Sequence, residues 1–140
     1  MQAAIAPQHM QTIFDRYSAA WTARDPDRIA ALHTPETVFR LRLDQPPVTG
    51  REQVRATFAA LFEQWPEFGF ATDRVHLGPH HWVLDWTLTS VLTDLDGTRR
   101  SVRFDCADIV VVDSEGLVER KDTFVDFLQV QHALTPTAAA

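Results

Sequence analysis

The side chain best placed to do chemistry is Asp108. It interrupts an alternating row, Val102, Phe104, Cys106, Asp108, Val110 and Val112, that carries no other charge. Alternate residues of a strand share one face, so this carboxyl group is set into an apolar surface. The preceding strand offers a matching row of Trp82, Leu84, Trp86, Leu88 and Leu92. With the hairpin centred on Gly97, Leu92 faces Val102, Leu88 faces Cys106 and Trp86 faces Asp108, so apolar row meets apolar row. An isolated buried carboxylate is costly. One expectation is therefore a protonated Asp108 that donates a hydrogen bond to a ligand oxyanion; the alternative is a partly exposed Asp108 at the rim, or one satisfied by a tyrosine.

Other reactive side chains are few. His33 offers an imidazole suited to proton transfer near neutral pH; the alternative is a core histidine bonded to a carbonyl group. Lys121 is the only lysine and so the one candidate for Schiff-base chemistry. Cys106 is the only cysteine, which excludes an intrachain disulfide and a cysteine-based metal centre. His76, His80 and His81 surround the Gly78-Pro79 turn, but alternate strand residues point opposite ways and no carboxylate completes a ligand set, so no metal site is expected. No phosphate loop or nucleophile elbow occurs, and no cofactor is expected.

These residues need a scaffold, and the apolar periodicity supplies one. Met10, Ile13, Phe14, Tyr17, Ala20 and Trp21 recur at helical steps over 7–23. A second helix over 24–33 starts at Asp25 as N-cap with Pro26 in its first turn. Thr37 to Leu43 alternates as a strand with Phe39, Leu41 and Leu43 on one side. A third helix opens on the capping box Thr49-Gly50-Arg51-Glu52, buries Val54, Phe58, Leu61, Phe62 and Trp65, and stops at Pro66. Beyond Phe68 the period becomes two, and Gly78, Gly97 and Gly116 are evenly spaced. That pattern predicts antiparallel strands at 69–77, 80–93, 99–112 and 117–125, then a short closing helix over 127–134. The fold class is α+β: three N-terminal helices in the concave face of a strongly bent, mixed but mainly antiparallel sheet, a cone-shaped α+β barrel.

The length of 140 residues fits one domain. The expected division is an N-terminal extension over 1–7, the domain over 8–134 and a tail over 135–140. A net charge of −6 argues against a nucleic-acid partner. No segment has the run of apolar residues that a membrane span needs, and no secretory signal is read near Met1, so a cytoplasmic protein is expected.

The order of elements resembles the nuclear transport factor 2-like superfamily, which includes ketosteroid isomerases, SnoaL-like polyketide cyclases and limonene epoxide hydrolases. Phe14-Asp-Arg-Tyr-Ser-Ala-Ala-Trp21, Asp25-Pro-Asp-Arg-Ile-Ala-Ala-Leu32 and Thr49-Gly-Arg-Glu-Gln-Val54 match its opening. Asp108-Ile-Val-Val-Val112, Gly116-Leu-Val118 and Lys121-Asp-Thr-Phe124 match its close. The resemblance implies that Tyr17 is an oxyanion-hole tyrosine and Asp108 its protonated partner. The general-base aspartate of ketosteroid isomerases has no counterpart among Phe39, Leu41 and Leu43, which leaves His33 for that role. The resemblance also implies an acid late in the final strand, where Asp122 is the nearest match. In one register of the last hairpin Lys121 faces Asp108 and Thr123 points inward. Shifted by one residue, Asp122 lies beside Asp108.

The expected function is cofactor-independent acid/base catalysis of isomerase, cyclase, dehydratase or hydrolase type. Its substrate would be a small apolar oxygenated molecule, with Tyr17, Asp108, His33 and Asp122 as catalytic residues. Trp21, Phe39, Leu41, Phe58, Trp82, Trp86, Phe104 and Cys106 would contact the ligand. The alternative is a non-catalytic ligand-binding or dimerisation module of the same fold. The resemblance also implies a homodimer formed through the outer sheet face.

Overall fold

In the computed structural model, residues 3–136 are described. Residues 1, 2 and 137–140, parts of the expected N-terminal extension and tail, lie outside the described residues. Helix α1 runs over Pro7–Thr22 and buries the expected stripe from Met10 to Trp21. Helix α2, Pro26–Ala30, is capped by Asp25, whose side chain accepts from the Arg28 amide. It is shorter than expected, and His33 lies on strand β1, His33–Arg42, not on the helix. Pro35 disfavours a helical Thr34, and the Leu32 carbonyl is already taken by the Val118 amide at 2.9 Å. Sheet pairing therefore outcompetes helix extension.

Strand β2, Val48–Thr49, pairs with β1 through Val38 and Phe39. This changes the start of helix α3, Arg51–Gln64: its N-cap is Gly50 at φ +95°, with no side-chain cap. The expected capping box does not form, because Thr49 is held in the sheet and the Gly50 amide donates to the Thr37 carbonyl at 2.8 Å. A positive φ of this size suits only glycine.

Strands β3 (Gly69–Leu77), β4 (His81–Thr93), β5 (Arg99–Val112) and β6 (Val118–Val125) follow, then helix α4, Phe127–Leu134. The sheet order is β2-β1-β6-β5-β4-β3. The β1–β6 pair is parallel and the remaining pairs are antiparallel. The helices pack against this mixed sheet in the cone architecture.

Two hairpin registers decide the site. In the β4–β5 hairpin, Leu84 faces Asp108, Trp86 faces Cys106 and Leu88 faces Phe104. This is offset by two residues from the register centred on Gly97. The Gly97 amide donates to the Asp94 carbonyl and Gly97 takes φ +86°, so the glycine ends the turn instead of centring it. An offset of two preserves which face each residue occupies. In the β5–β6 hairpin, Val112 pairs with Val118 but Val111 pairs with Arg120, which makes Glu119 the extra residue of a bulge. Beyond it Asp108 pairs with Thr123, Ile109 with Asp122 and Val110 with Lys121. The bulge thus turns Lys121 and Thr123 inward and Asp122 outward.

Candidate functional site

The concave side of the sheet and the helices enclose a cavity of about 130 Å³. Its wall is largely aromatic: Tyr17 and Trp21 from α1, Phe39 from β1, Trp82 and Trp86 from β4, and Phe104 from β5. Trp65 and Phe68, which flank the α3–β3 connection, and Val130 and Leu134 of α4 complete it. Helix α4 is fastened at both ends. The Gln129 side chain accepts from the Asp105 amide at 2.7 Å, and Arg100, paired with Asp94, donates to the Ala133 carbonyl at 2.9 Å.

The polar groups of the wall converge on one spot. Asp108, 3% exposed, accepts from the Lys121 ammonium at 2.7 Å and from the Thr123 hydroxyl at 2.7 Å. Both carboxyl oxygens are therefore occupied by donors. This corrects the expected protonated donor: the arrangement is that of a carboxylate whose charge is balanced inside the fold. Burial pulls the Lys121 ammonium down, but Asp108 and the neighbouring Tyr17 outweigh it and carry the group above its ordinary range. The ammonium also lies 5.4 Å from the Tyr17 ring centre and 5.1 Å from that of Trp21.

Tyr17 lies in the cavity wall, and its hydroxyl is 2.9 Å from His33 Nε2. Burial raises the phenol, partly offset by the Lys121 charge and by the Trp21 indole. His33 is fully buried, and its Nδ1 lies 2.9 Å from the Thr37 hydroxyl. Burial first, then the charges of Lys121 and Arg51, push its imidazole down to about 3. The ring stands behind Tyr17 and is not itself among the residues that line the cavity.

Two further expected site residues stand apart from the cavity. Asp122 points to the opposite sheet face, where Arg42 and Arg120 hold it at 3.2 and 2.7 Å. Burial raises this carboxyl, but the bonds and charges of Arg120 and Arg42 bring it below the usual carboxylate range. Phe58 lies one layer behind the wall, edge-on to Trp21, His33 and Phe39. The other expected contacts, Trp21, Phe39, Leu41, Trp82, Trp86, Phe104 and Cys106, all line the cavity. Burial, reinforced by the charge of Asp108, pushes the Cys106 thiol well above its usual range, so it behaves as an apolar wall group.

Lys121 and Thr123 lie outside the expected set of site residues, although one of the two registers of the last hairpin turned both inward, and the structure brings both to Asp108. The signal for them was a lone lysine in a strand facing an apolar row, but its direction hangs on the Glu119 bulge. Among the described residues no cluster of three or more His, Cys, Asp or Glu could hold a metal ion, and no helix is long and apolar enough to cross a membrane.

The sequence model of the SnoaL-like domain matches residues 14–121. No curated protein matches in sequence. Among solved structures, a protein described as a SnoaL-like polyketide cyclase from Shewanella putrefaciens CN-32 superposes with a TM-score of 0.78 at 14% identity, covering 92% of this chain and 86% of the other. A similarly described protein from Jannaschia sp. CCS1 gives 0.77 at 23% identity over 96% and 98% of the two chains. SalBIII, an epoxide hydrolase/cyclase-like enzyme with a role in pyran ring formation in the polyether salinomycin, gives 0.75 at 17% identity over 87% and 94%. These likenesses concern the fold.

Proposed function

The chain belongs to the SnoaL-like domain family, and from that premise we propose that it is a cofactor-independent acid/base enzyme acting on a small, largely apolar carbonyl compound. The observation that carries this reading is the buried Lys121–Asp108 pair in the wall of an aromatic cavity. In a medium that excludes water, a carboxylate and an ammonium held side by side supply an acid and a base without any bound group. Asp108 takes the proton from the carbon next to the carbonyl group. The electron pair moves onto the carbonyl oxygen, where hydrogens of Lys121 and Tyr17 stabilise the charge. Returning the proton to another carbon completes an isomerisation; attack of the carbanion on a second carbonyl carbon moves that C=O electron pair onto its oxygen, which takes the proton back from Asp108 and completes a ring closure.

The test needs no knowledge of the natural substrate. In D₂O, the protein should accelerate exchange of the α-hydrogens of simple cyclic ketones, followed by NMR. Asp108→Asn should lower that rate by about a hundredfold or more, the ordinary contribution of a general base. Exchange undiminished in a folded Asp108→Asn protein would remove Asp108 from the mechanism.

The second reading is a non-catalytic binding module. It is favoured by the first strand, whose cavity positions Phe39 and Leu41 carry no carboxylate. Tight ketone binding with no exchange would select it. Under either reading we propose a homodimer through the outer sheet face, where Ile109 and Phe124 are 42% and 39% exposed and Arg40 Nε is buried without a partner. Sedimentation showing monomer alone at micromolar concentration would overturn that assembly.

A further inference from the structure

We propose that Thr37 and His33 form a relay that sets the direction of the Tyr17 proton: Thr37 donates to Nδ1, the Nε2–H of His33 donates to the Tyr17 oxygen, and the Tyr17 hydroxyl hydrogen is left for an oxygen of the ligand. Only this last step, delivery to a ligand, rests on the cavity being a substrate site.

The argument is a count of hydrogens. Tyr17 Oη, His33 Nε2, His33 Nδ1 and Thr37 Oγ1 form a chain with two links of 2.9 Å each. His33 is neutral, because burial and the charges of Lys121 and Arg51 oppose a second ring proton. A neutral imidazole carries one N–H, so the chain runs in one of two directions. If Tyr17 donates to Nε2, then Nδ1–H donates to Thr37 and the Thr37 hydroxyl hydrogen is left over. If Thr37 donates to Nδ1, then Nε2–H donates to Tyr17 and the Tyr17 hydrogen is left over.

The two remainders differ in cost. Thr37 is fully buried, and His33 is the only hydrogen-bond partner of its hydroxyl among the described residues. A hydroxyl hydrogen stranded there costs about 1–3 kcal/mol. Tyr17 belongs to the cavity wall, where a ligand oxygen can accept the hydrogen. The His33 backbone is fixed as well, since Arg51 donates to its carbonyl at 3.1 and 2.5 Å.

The consequence is a pair of donors beside the Asp108 carboxylate. The Tyr17 hydrogen and the ammonium hydrogens of Lys121 not engaged by Asp108 suit an oxygen that accepts and does not donate, such as a carbonyl or enolate oxygen. The relay makes His33 and Thr37 positioning residues for Tyr17.

Long-range ¹H–¹⁵N correlation spectra of the imidazole rings test the assignment without any ligand. The His33 signals are identified by their loss in His33→Gln. The expected wild-type pattern is the Nε2–H tautomer at pH 7, unchanged down to pH 5. An Nδ1–H pattern, or a mixture of the two, would overturn the relay. Thr37→Val removes the donor to Nδ1 and should abolish the pure Nε2–H pattern, whereas Thr37→Ser should keep it. A Thr37→Val spectrum identical to wild type would remove Thr37 from the relay. The tautomer is read whether or not ketone exchange occurs, so failure of the relay and failure of the catalytic reading are seen separately.

Discussion

Asp108 and Asp122 sit on neighbouring strands of one sheet, and each is held by cations, yet they belong to different physical worlds. The Asp108–Lys121 pair is closed off, with side chains 4% and 6% exposed. Asp122 is covered too, but its partners Arg42 and Arg120 are 36% and 41% exposed. A pair with wet guanidinium groups gains little, because water screens the attraction. A dry pair is different: its members have given up hydration and depend on each other. The inner carboxylate is therefore the one on which the proposed chemistry rests, and the outer one ties β6 to β1 through Arg42. What separates them is one residue, Glu119, whose bulge decides which of the two faces of β6 meets the cavity.

The most severe way to break the comparison is to delete Glu119. The deletion should shift β6 by one position, bringing Asp122 inward and sending Lys121 and Thr123 outward. The buried Asp108 would lose both donors, so cooperative thermal unfolding followed by circular dichroism should disappear. A native-like transition would show that the bulge does not set the faces. A milder cut is Asp108→Ala, which leaves a buried ammonium without its counter-ion. Urea denaturation should show a loss of about 3–5 kcal/mol.

The pH dependence of stability separates the two sides again. Behind the inner face, His33 falls from 6.5 to about 3 on folding. Its folded value lies below its unfolded one, so its contribution is complete above about 6.5 and is lost progressively as the pH falls towards about 3. The slope should be roughly 1.4 kcal/mol per pH unit, and His33→Gln should flatten it between pH 6 and 5, above the range of ordinary carboxylates. Asp122 is also lowered on folding, from 3.8, so its contribution is present above that value and is lost only in stronger acid. The smallest effect belongs to this outer side: Asp122→Ala should cost about 1 kcal/mol or less, with ketone exchange unchanged.

Much of this was legible in the chain. The period-two rows placed β3, β4, β5 and β6 to within a residue at each end, because one buried face imposes strict alternation. Tyr17 and Asp108 could be assigned to the wall from their rows alone. The interruptions were harder to read. The short α2 reflects a competition for the Leu32 carbonyl that only the sheet reveals. The lost capping box reflects pairing of Thr49 with a strand distant in sequence. Above all, the inward turn of Lys121 and Thr123 depends on a bulge, and a bulge has no periodic signature. The same bulge decides what meets Asp108: the sequence leaves Lys121 with Thr123, or Asp122, as its neighbours, and the bulged register brings the first two.

Lys121 is the only lysine of the chain, so selective ¹⁵N labelling of lysine side chains yields a single ammonium resonance. Its titration by NMR tests the central pair directly. The pair predicts an ammonium that stays charged beyond the usual lysine range of 10.5, and a clear downward shift in Asp108→Asn, where burial acts unopposed by the carboxylate. A neutral amine near pH 7 in the wild type, or a titration unmoved by Asp108→Asn, would contradict the buried ion pair on which the proposed chemistry stands.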